Sequence, residues 1–173
     1  QEGIERARQL TEQLLNLART QAGTGAEAVV NISLMARELI AEYLPLAEAR
    51  GIDLGLDEVA PLSVKTLPEA LRLVLKNALE NALKYTPEGG EVTVRLLCES
   101  EGIVIEVIDD GPGIPASEHE RVFDAFYRSP DAGSEGSGLG LTIAREAAIR
   151  LGGVVSLHER EQGSGLIFRY RQR

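Results

Sequence analysis

A chain of 173 residues, 43% of them apolar, is long enough to bury one sizeable core. Eighteen basic against 27 acidic side chains leave a net charge of −9, so there is no basic patch for nucleic acid to bind. The single Cys98 excludes an internal disulfide and a cysteine metal cluster. No stretch reaches the apolar length of a membrane span or reads as a signal peptide, and these features predict a cytoplasmic piece outside the membrane. A start at Gln1 instead of Met implies a piece of a longer protein.

Gln1–Gln21 carries Ile4, Leu10, Leu14, Leu15, Leu17 and Ala18, an apolar stripe that predicts a helix made to pack on another helix. Gly23 and Gly25 mark a break, so residues 23–28 read as a linker. Val29–Asn31 is a short strand candidate. Leu34–Glu48 is a second amphipathic helix, with Ser33 placed to cap it, Pro45 disturbing its last turn and Gly51 ending it. Ile52–Leu56 and Pro61–Val64 read as two short strands around an acidic loop.

The most informative stretch is Val74–Thr86, VLKNALENALKYT. Leu71, Val74, Leu75, Ala78, Leu79, Ala82 and Leu83 recur at helical spacing and predict one buried stripe. Pro68 starts this helix where a missing N–H costs nothing. Asn77 and Asn81 are four apart, so their amides share a face, and Lys84 extends the same line. Two stacked amides beside a core stripe need polar partners. Both could simply face water, and the helix alone does not decide.

Pro87-Glu88-Gly89-Gly90 ends the helix. Glu91–Glu99 and Ile103–Asp109 alternate as strands and form a hairpin across Ser100-Glu101-Gly102. The second strand runs into Asp109-Asp110-Gly111-Pro112-Gly113-Ile114-Pro115. An Asp ending a buried strand is an acceptor aimed inward, and the glycines allow a ligand close to the backbone. Glu118–Arg128 predicts a short helix holding Phe123, Phe126 and Tyr127. Ser129–Ser137 has the composition of a flexible segment. It leads into Gly136-Ser137-Gly138-Leu139-Gly140-Leu141 and a helix over Leu141–Leu151. Such a Gly-rich start offers free N–H groups and a positive dipole end to an anion. It is neither a P-loop nor a dinucleotide fingerprint, for no Gly-Lys-Ser/Thr follows and no strand runs directly into it. Val154–Glu159 and Leu166–Arg171 close the chain as a hairpin.

An Asn-bearing helix, a strand ending in DDGPGIP, VFDAFYR, and GSGLGL opening a helix stand in this order. Together they resemble the ATP-binding domain of sensor histidine kinases, within the ATPase family shared with gyrase, Hsp90 and mismatch-repair proteins. The resemblance spans about residues 29–171. Gln1–Gln21, with QLLNLAR at Gln13–Arg19, is similar to the second helix of the dimerisation and phosphoacceptor hairpin that precedes this domain. It implies a hairpin remnant over 1–22 and a catalytic domain over 29–173.

The implied fold is α+β, a two-layer α/β sandwich whose mixed, largely antiparallel sheet carries helices on one face. The implied cofactors are ATP and Mg²⁺. Asn81 would coordinate Mg²⁺, Asn77 would lie beside the phosphates and metal, and Lys84 would reach a phosphate. Tyr85 would stack near adenine, and Asp109 would accept from the adenine amino group. Gly111, Gly113 and Ile114 would approach the base. Phe123, Phe126 and Arg128 would anchor the lid, and Gly136, Ser137, Gly138, Leu139, Gly140 and Leu141 would close over the triphosphate. The first box reads DDG where DNG is usual, which adds Asp110 near the site and reads as tolerated.

Hydrolysing members of that family carry a Glu four residues before the metal Asn. Here that position is Asn77, which cannot take a proton, so transfer to another nucleophile is favoured over water attack. Glu80, about 100° around the helix from Asn81, is a candidate assistant to proton transfer. His119 and His158, the only histidines, lack the flanking pattern of a phosphorylated His and read as exposed structural residues. The implied acceptor is therefore a His on the missing hairpin helix, and this piece alone is not expected to autophosphorylate. The implied partners are the kinase's own hairpin, a second kinase subunit and a response regulator receiver domain. The parent would sit in the bacterial inner membrane. The alternatives are a nucleotide-binding regulatory pseudokinase, a hydrolytic ATPase, and a Ser/Thr-directed kinase of the anti-sigma type.

Overall fold

The computed structural model describes residues 25–127 and 137–173. The helix expected over Gln1–Gln21, the boundary with its linker, Arg128 and residues 129–136, which include Gly136 and most of the segment read as flexible, lie outside the described residues.

The described chain forms β1 (Ala28–Asn31), α1 (Ile32–Ala49), β2 (Asp53–Glu58), β3 (Ser63–Thr66), α2 (Pro68–Tyr85), β4 (Glu91–Glu99), β5 (Gly102–Asp109), α3 (Gly140–Arg150), β6 (Val154–Glu159) and β7 (Leu166–Gln172). Five strands make one sheet in the order β2-β4-β5-β7-β6. Only the β2–β4 pair is parallel, and the other pairs are antiparallel. β1 and β3 form a separate antiparallel pair. The three helices pack on one face of the large sheet, α1 against β2, α2 against β5 and α3 against β6. This is the two-layer arrangement implied by the sequence.

The pleat explains which face they cover. Val92, Val94 and Leu96 stand opposite Asp109, Val107 and Ile105, and the apolar members of these pairs are nearly fully buried. The residues between them face the uncovered side. There Arg95 bonds Asp57 at 2.7 Å and lies 3.5 Å from Glu106, and Glu106 bonds Arg169 at 2.7 Å. A glutamate with little exposed surface is thus held between two guanidinium groups.

α2 buries Leu71, Val74, Leu75, Ala78, Leu79, Ala82 and Leu83, the stripe read from its sequence. Pro68 occupies its first turn. Its C-terminal carbonyls are met by a residue that no pattern marks. The Arg50 guanidinium, just after α1, donates to the carbonyls of Leu83 and Thr86, the latter at 2.6 Å. Charge-assisted bonds at a helix C-terminus satisfy orphan carbonyls and complement the dipole. Arg50→Ala is expected to lower stability by about 1–3 kcal/mol, measured by urea titration.

Two local expectations are corrected. Asn31, not Ser33, caps α1: its side chain accepts from the Leu34 N–H at 2.9 Å. Ser33 is fully buried inside the first turn, where its Oγ accepts from the Leu62 N–H at 2.8 Å. The hydroxyl serves the β2–β3 connection, so the cap moves two residues upstream. The helix expected over Glu118–Arg128 is two single 3-10 turns, Ala116–Glu118 and Arg121–Phe123. Val122 and Phe123 are buried, while Phe126 takes φ 65°. A positive φ at an aromatic residue is incompatible with a continuing helix.

Candidate functional site

α2, the end of β5 and the start of α3 converge on one region. On α2 the buried Asn77 donates from Nδ2 to the Leu73 carbonyl at 2.9 Å. This local bond satisfies part of the amide and fixes its orientation. Its Oδ1 lies beside the first turn of α3, 3.6 Å from where a Cβ on Gly140 would stand. Asn77 therefore does not simply face water. Asn81 is half-buried one turn further on. Lys84 holds its ammonium 4.9 Å from the Tyr85 ring centroid.

Glu80 is turned toward a different neighbour. The Tyr43 hydroxyl of α1 donates to Glu80, and Lys76 lies 3.9 Å away one turn earlier. Burial, followed by the Glu80 contact, raises the Tyr43 pKa, so this phenol stays protonated and keeps donating. The partners of Glu80 are thus an α1 tyrosine and a lysine, neither of them on the Asn77–Asn81 face.

At the other end of the region, Asp109 is 5% exposed. Its Oδ1 accepts from the Gly111 N–H at 2.9 Å. Burial pushes its pKa up to about 6 and the Asp110 charge adds to this, against the N–H groups of Gly111 and Leu166 and the charge of Arg160. Gly111 is buried, and a Cβ there would stand 2.9 Å from both Asp109 Oδ1 and the Tyr85 carbonyl. The turn can therefore hold no side chain, which brings the end of α2 against the end of β5. Gly113 lies against the β6–β7 turn, where an added Cβ would be 3.0 Å from the Gly165 carbonyl. Ile114 is half-buried against the core, and its carbonyl is 2.8 Å from His119 Nε2.

The start of α3 supplies the third side. Ser137 Oγ accepts from the Leu139 N–H at 3.2 Å, and the Gly138 carbonyl accepts from the Phe126 N–H at 3.0 Å. Leu139 is fully buried and Leu141 nearly so, which anchors the glycine-rich stretch. Thr142 donates to the Phe123 carbonyl at 2.9 Å, tying the helix to the aromatic segment. Gly140 and the next two residues have N–H groups without intrahelical acceptors, at the positive end of the dipole. Phe126 itself is 61% exposed.

The geometry therefore pairs a buried carboxylate acceptor with two stacked amides and a helix N-terminus. An amino-bearing base fits the first and an anionic phosphate chain fits the last. Among the described residues, no group of three His, Cys, Asp or Glu side chains could hold a metal ion. A Mg²⁺ ion here would take its oxygen ligands from an amide, phosphate and water, a donor set that suits this hard cation. Both histidines are half-buried instead of exposed: His119 meets Ile114, and His158 Nε2 is 2.9 Å from Ser156 Oγ. Sequence reasoning missed Arg50 and the β6–β7 turn behind Asp109, since neither carries a spacing signal. Among the described residues no helix is long and apolar enough to cross a membrane.

Comparison with known proteins agrees with this geometry. Residues 66–173 match the family model described as histidine kinase-, DNA gyrase B-, and HSP90-like ATPase. The chain is 36% identical over 172 residues to the swarming motility regulation sensor protein RssA of Serratia marcescens, covering 97% of this chain and 36% of that protein. It is 35% identical over 166 residues to the sensor protein kinase PmrB of Pseudomonas aeruginosa, covering 94% and 35%. The chain thus spans about a third of the length of these curated relatives. Full-length ShkA in complex with AMPPNP superimposes with a TM-score of 0.82 at 30% identity, covering 98% of this chain and 36% of that one. The catalytic domain of histidine kinase ThkA superimposes with a TM-score of 0.75 at 25% identity, covering 83% and 93%. The chain belongs to the histidine kinase-, DNA gyrase B-, and HSP90-like ATPase family, and it is an ATP-binding catalytic domain of the sensor histidine kinase kind.

Proposed function

We propose that this domain binds Mg-ATP and passes the γ-phosphoryl group to a histidine on the dimerisation hairpin of its parent kinase, for relay to an aspartate of a response regulator. The observation that carries this reading is Asn77. It stands beside the α3 N-terminus with its Nδ2 bonded to the Leu73 carbonyl, and an amide cannot take a proton from water. The catalytic part of the site then positions the phosphates, without activating a water.

In this reading Asp109 accepts from the adenine amino group, with Gly111, Gly113 and Ile114 against the base and Tyr85 near it. Asn77, Lys84 and the α3 N-terminus at Gly138, Leu139 and Gly140 meet the phosphates. Asn81 is the protein ligand of Mg²⁺, which would neutralise phosphate charge. Glu80 orders α2 against α1 through Tyr43, which supports a positioning role for it in place of proton transfer. Residues 1–22 belong to the hairpin, and the parent is an inner-membrane sensor.

Asn81→Ala should weaken binding of Mg-ATP about 10- to 100-fold while changing metal-free ATP binding by less than threefold, since it removes one charge-assisted ligand. Titration with and without Mg²⁺ checks this. The reading as a whole is tested by incubating the domain and labelled ATP with a separately made hairpin that carries the phosphoacceptor His. Label on the hairpin supports it. Steady release of free phosphate without labelled hairpin would favour a hydrolytic ATPase, and ATP binding with neither product would favour a regulatory pseudokinase.

A further inference from the structure

Arg160 opens the turn between β6 and β7, outside the nucleotide-facing side of the sheet. The pleat puts the Asp109 side chain on the helix side, in register with Val92 and in line with Val107. Ile108 and Thr93 face the other way, and Arg160 lies over them in a shallow recess shared with Glu91 and Arg95. From there its Nη1 lies 3.4 Å from the Asp109 carbonyl oxygen, within donating distance. The same turn closes around that carbonyl. Gly165 has φ 129°, and a Cβ on it would stand 2.0 Å from the Asp109 oxygen and 2.8 Å from Arg160 Cδ. The next residue, Leu166, pairs with Asp109 in the β5–β7 ladder, and its N–H serves the Asp109 carboxyl. One turn therefore holds both ends of Asp109, the carbonyl from behind and the carboxyl from the side.

We infer that Arg160 is a positioning residue for adenine recognition, placing its positive charge behind the end of β5 so that Asp109 meets the base as an acceptor. This rests on the reading of Asp109 as the acceptor of the adenine amino group. The surrounding charges make the arginine matter. Asp110 follows directly, Glu91 stands at the near end of β4, and Lys84 lies on the last turn of α2. Burial, and to a lesser degree Asp110, push Asp109 toward the protonated form; the N–H groups of Gly111 and Leu166 oppose them, and Arg160 adds its charge to that opposition. A protonated Asp109 is a weaker acceptor for an amino group than the carboxylate. Removing the guanidinium thus acts most where Asp109 is half titrated, and little where it is fully ionised.

The test is ATP titration of the wild type, Arg160→Ala, Arg160→Gln and Arg160→Lys between pH 5.5 and 8, with melting temperature followed alongside. Titration of the phosphates is common to all four proteins and cancels in the comparison. Arg160→Ala and Arg160→Gln are expected to bind within about threefold of wild type at pH 8. The pH at which half the affinity is lost should rise by about half a unit to one unit. Gln keeps a hydrogen-bond donor without charge, so it should behave like Ala, and Lys should restore most of the wild-type profile. A uniform loss at every pH, no change at any pH, or rescue by Gln and not by Lys would overturn the inference. If the wild type binds ATP and Asp109→Ala does not weaken it, the adenine assignment itself fails, whatever Arg160 does.

Discussion

Asp109→Asn is expected to weaken ATP binding about 100-fold while leaving the ligand-free domain at least as stable at pH 7. The first effect follows from replacing a charged acceptor in a buried site, worth about 2–3 kcal/mol. Two N–H groups, of Gly111 and Leu166, already point at this carboxyl, and an amide has only one oxygen to share among them and the base. The second effect follows from linkage. Burial raises the Asp109 pKa from 3.8 to about 6. A raised carboxyl pKa favours the folded state below the unfolded pKa, and that contribution is lost as pH rises through the folded one. Holding Asp109 ionised at pH 7 therefore costs about 3 kcal/mol relative to the unfolded chain. The asparagine variant escapes this cost, offset in part by one N–H left without an acceptor. Its advantage over wild type should be largest at pH 7 and shrink between about pH 6 and 4. A variant that melts well below the wild type at pH 7 would contradict this account of Asp109.

The second large effect is at Gly165. Gly165→Ala would place a Cβ 2.0 Å from the Asp109 carbonyl oxygen, at φ 129°. The Arg160 side chain can move aside, but the Asp109 carbonyl is backbone and cannot yield by side-chain rotation, so the β6–β7 turn or the end of β5 must shift. Steric overlap plus the unfavourable φ should cost at least about 3 kcal/mol. Because the displaced atom belongs to Asp109, ATP affinity should fall as well, even in the fraction that stays folded. Urea denaturation and ATP titration at low temperature measure the two effects separately. Gly152→Ala is a useful comparison: it also has a positive φ, 69°, but nothing lies within 4 Å of its added Cβ. It should lose only about 1 kcal/mol and keep its affinity.

Much of this molecule can be read along the chain where the signal is periodic. The α2 stripe, the β4–β5 hairpin and the strand that ends at Asp109 all have a repeat of one or two turns or of two residues, and the structure follows them. The candidate site stands out in the sequence because its parts combine residue types whose chemistry differs from their surroundings, such as two amides in an apolar helix. What could not be read depends on contacts between distant segments. Arg50 meets α2 across 33 residues and Arg160 meets Asp109 across 51, and no local pattern encodes either. Ser33 misled because a serine before an apolar run suits a cap, yet the Leu62 N–H claimed its hydroxyl. The helix expected over Glu118–Arg128 failed for a similar reason. The Phe126 N–H pairs with the Gly138 carbonyl, 12 residues on, and that pairing requires a turn.

The region between α2, Asp109 and the α3 N-terminus is the proposed Mg-ATP site. Calorimetric titration of this chain with ATP, with and without Mg²⁺ and with GTP as comparison, tests it most directly. Binding should saturate, strengthen with Mg²⁺ and favour ATP over GTP, since an aspartate acceptor suits the adenine amino group and repels a guanine carbonyl. No binding at millimolar nucleotide, or equal affinity for the two, would contradict it.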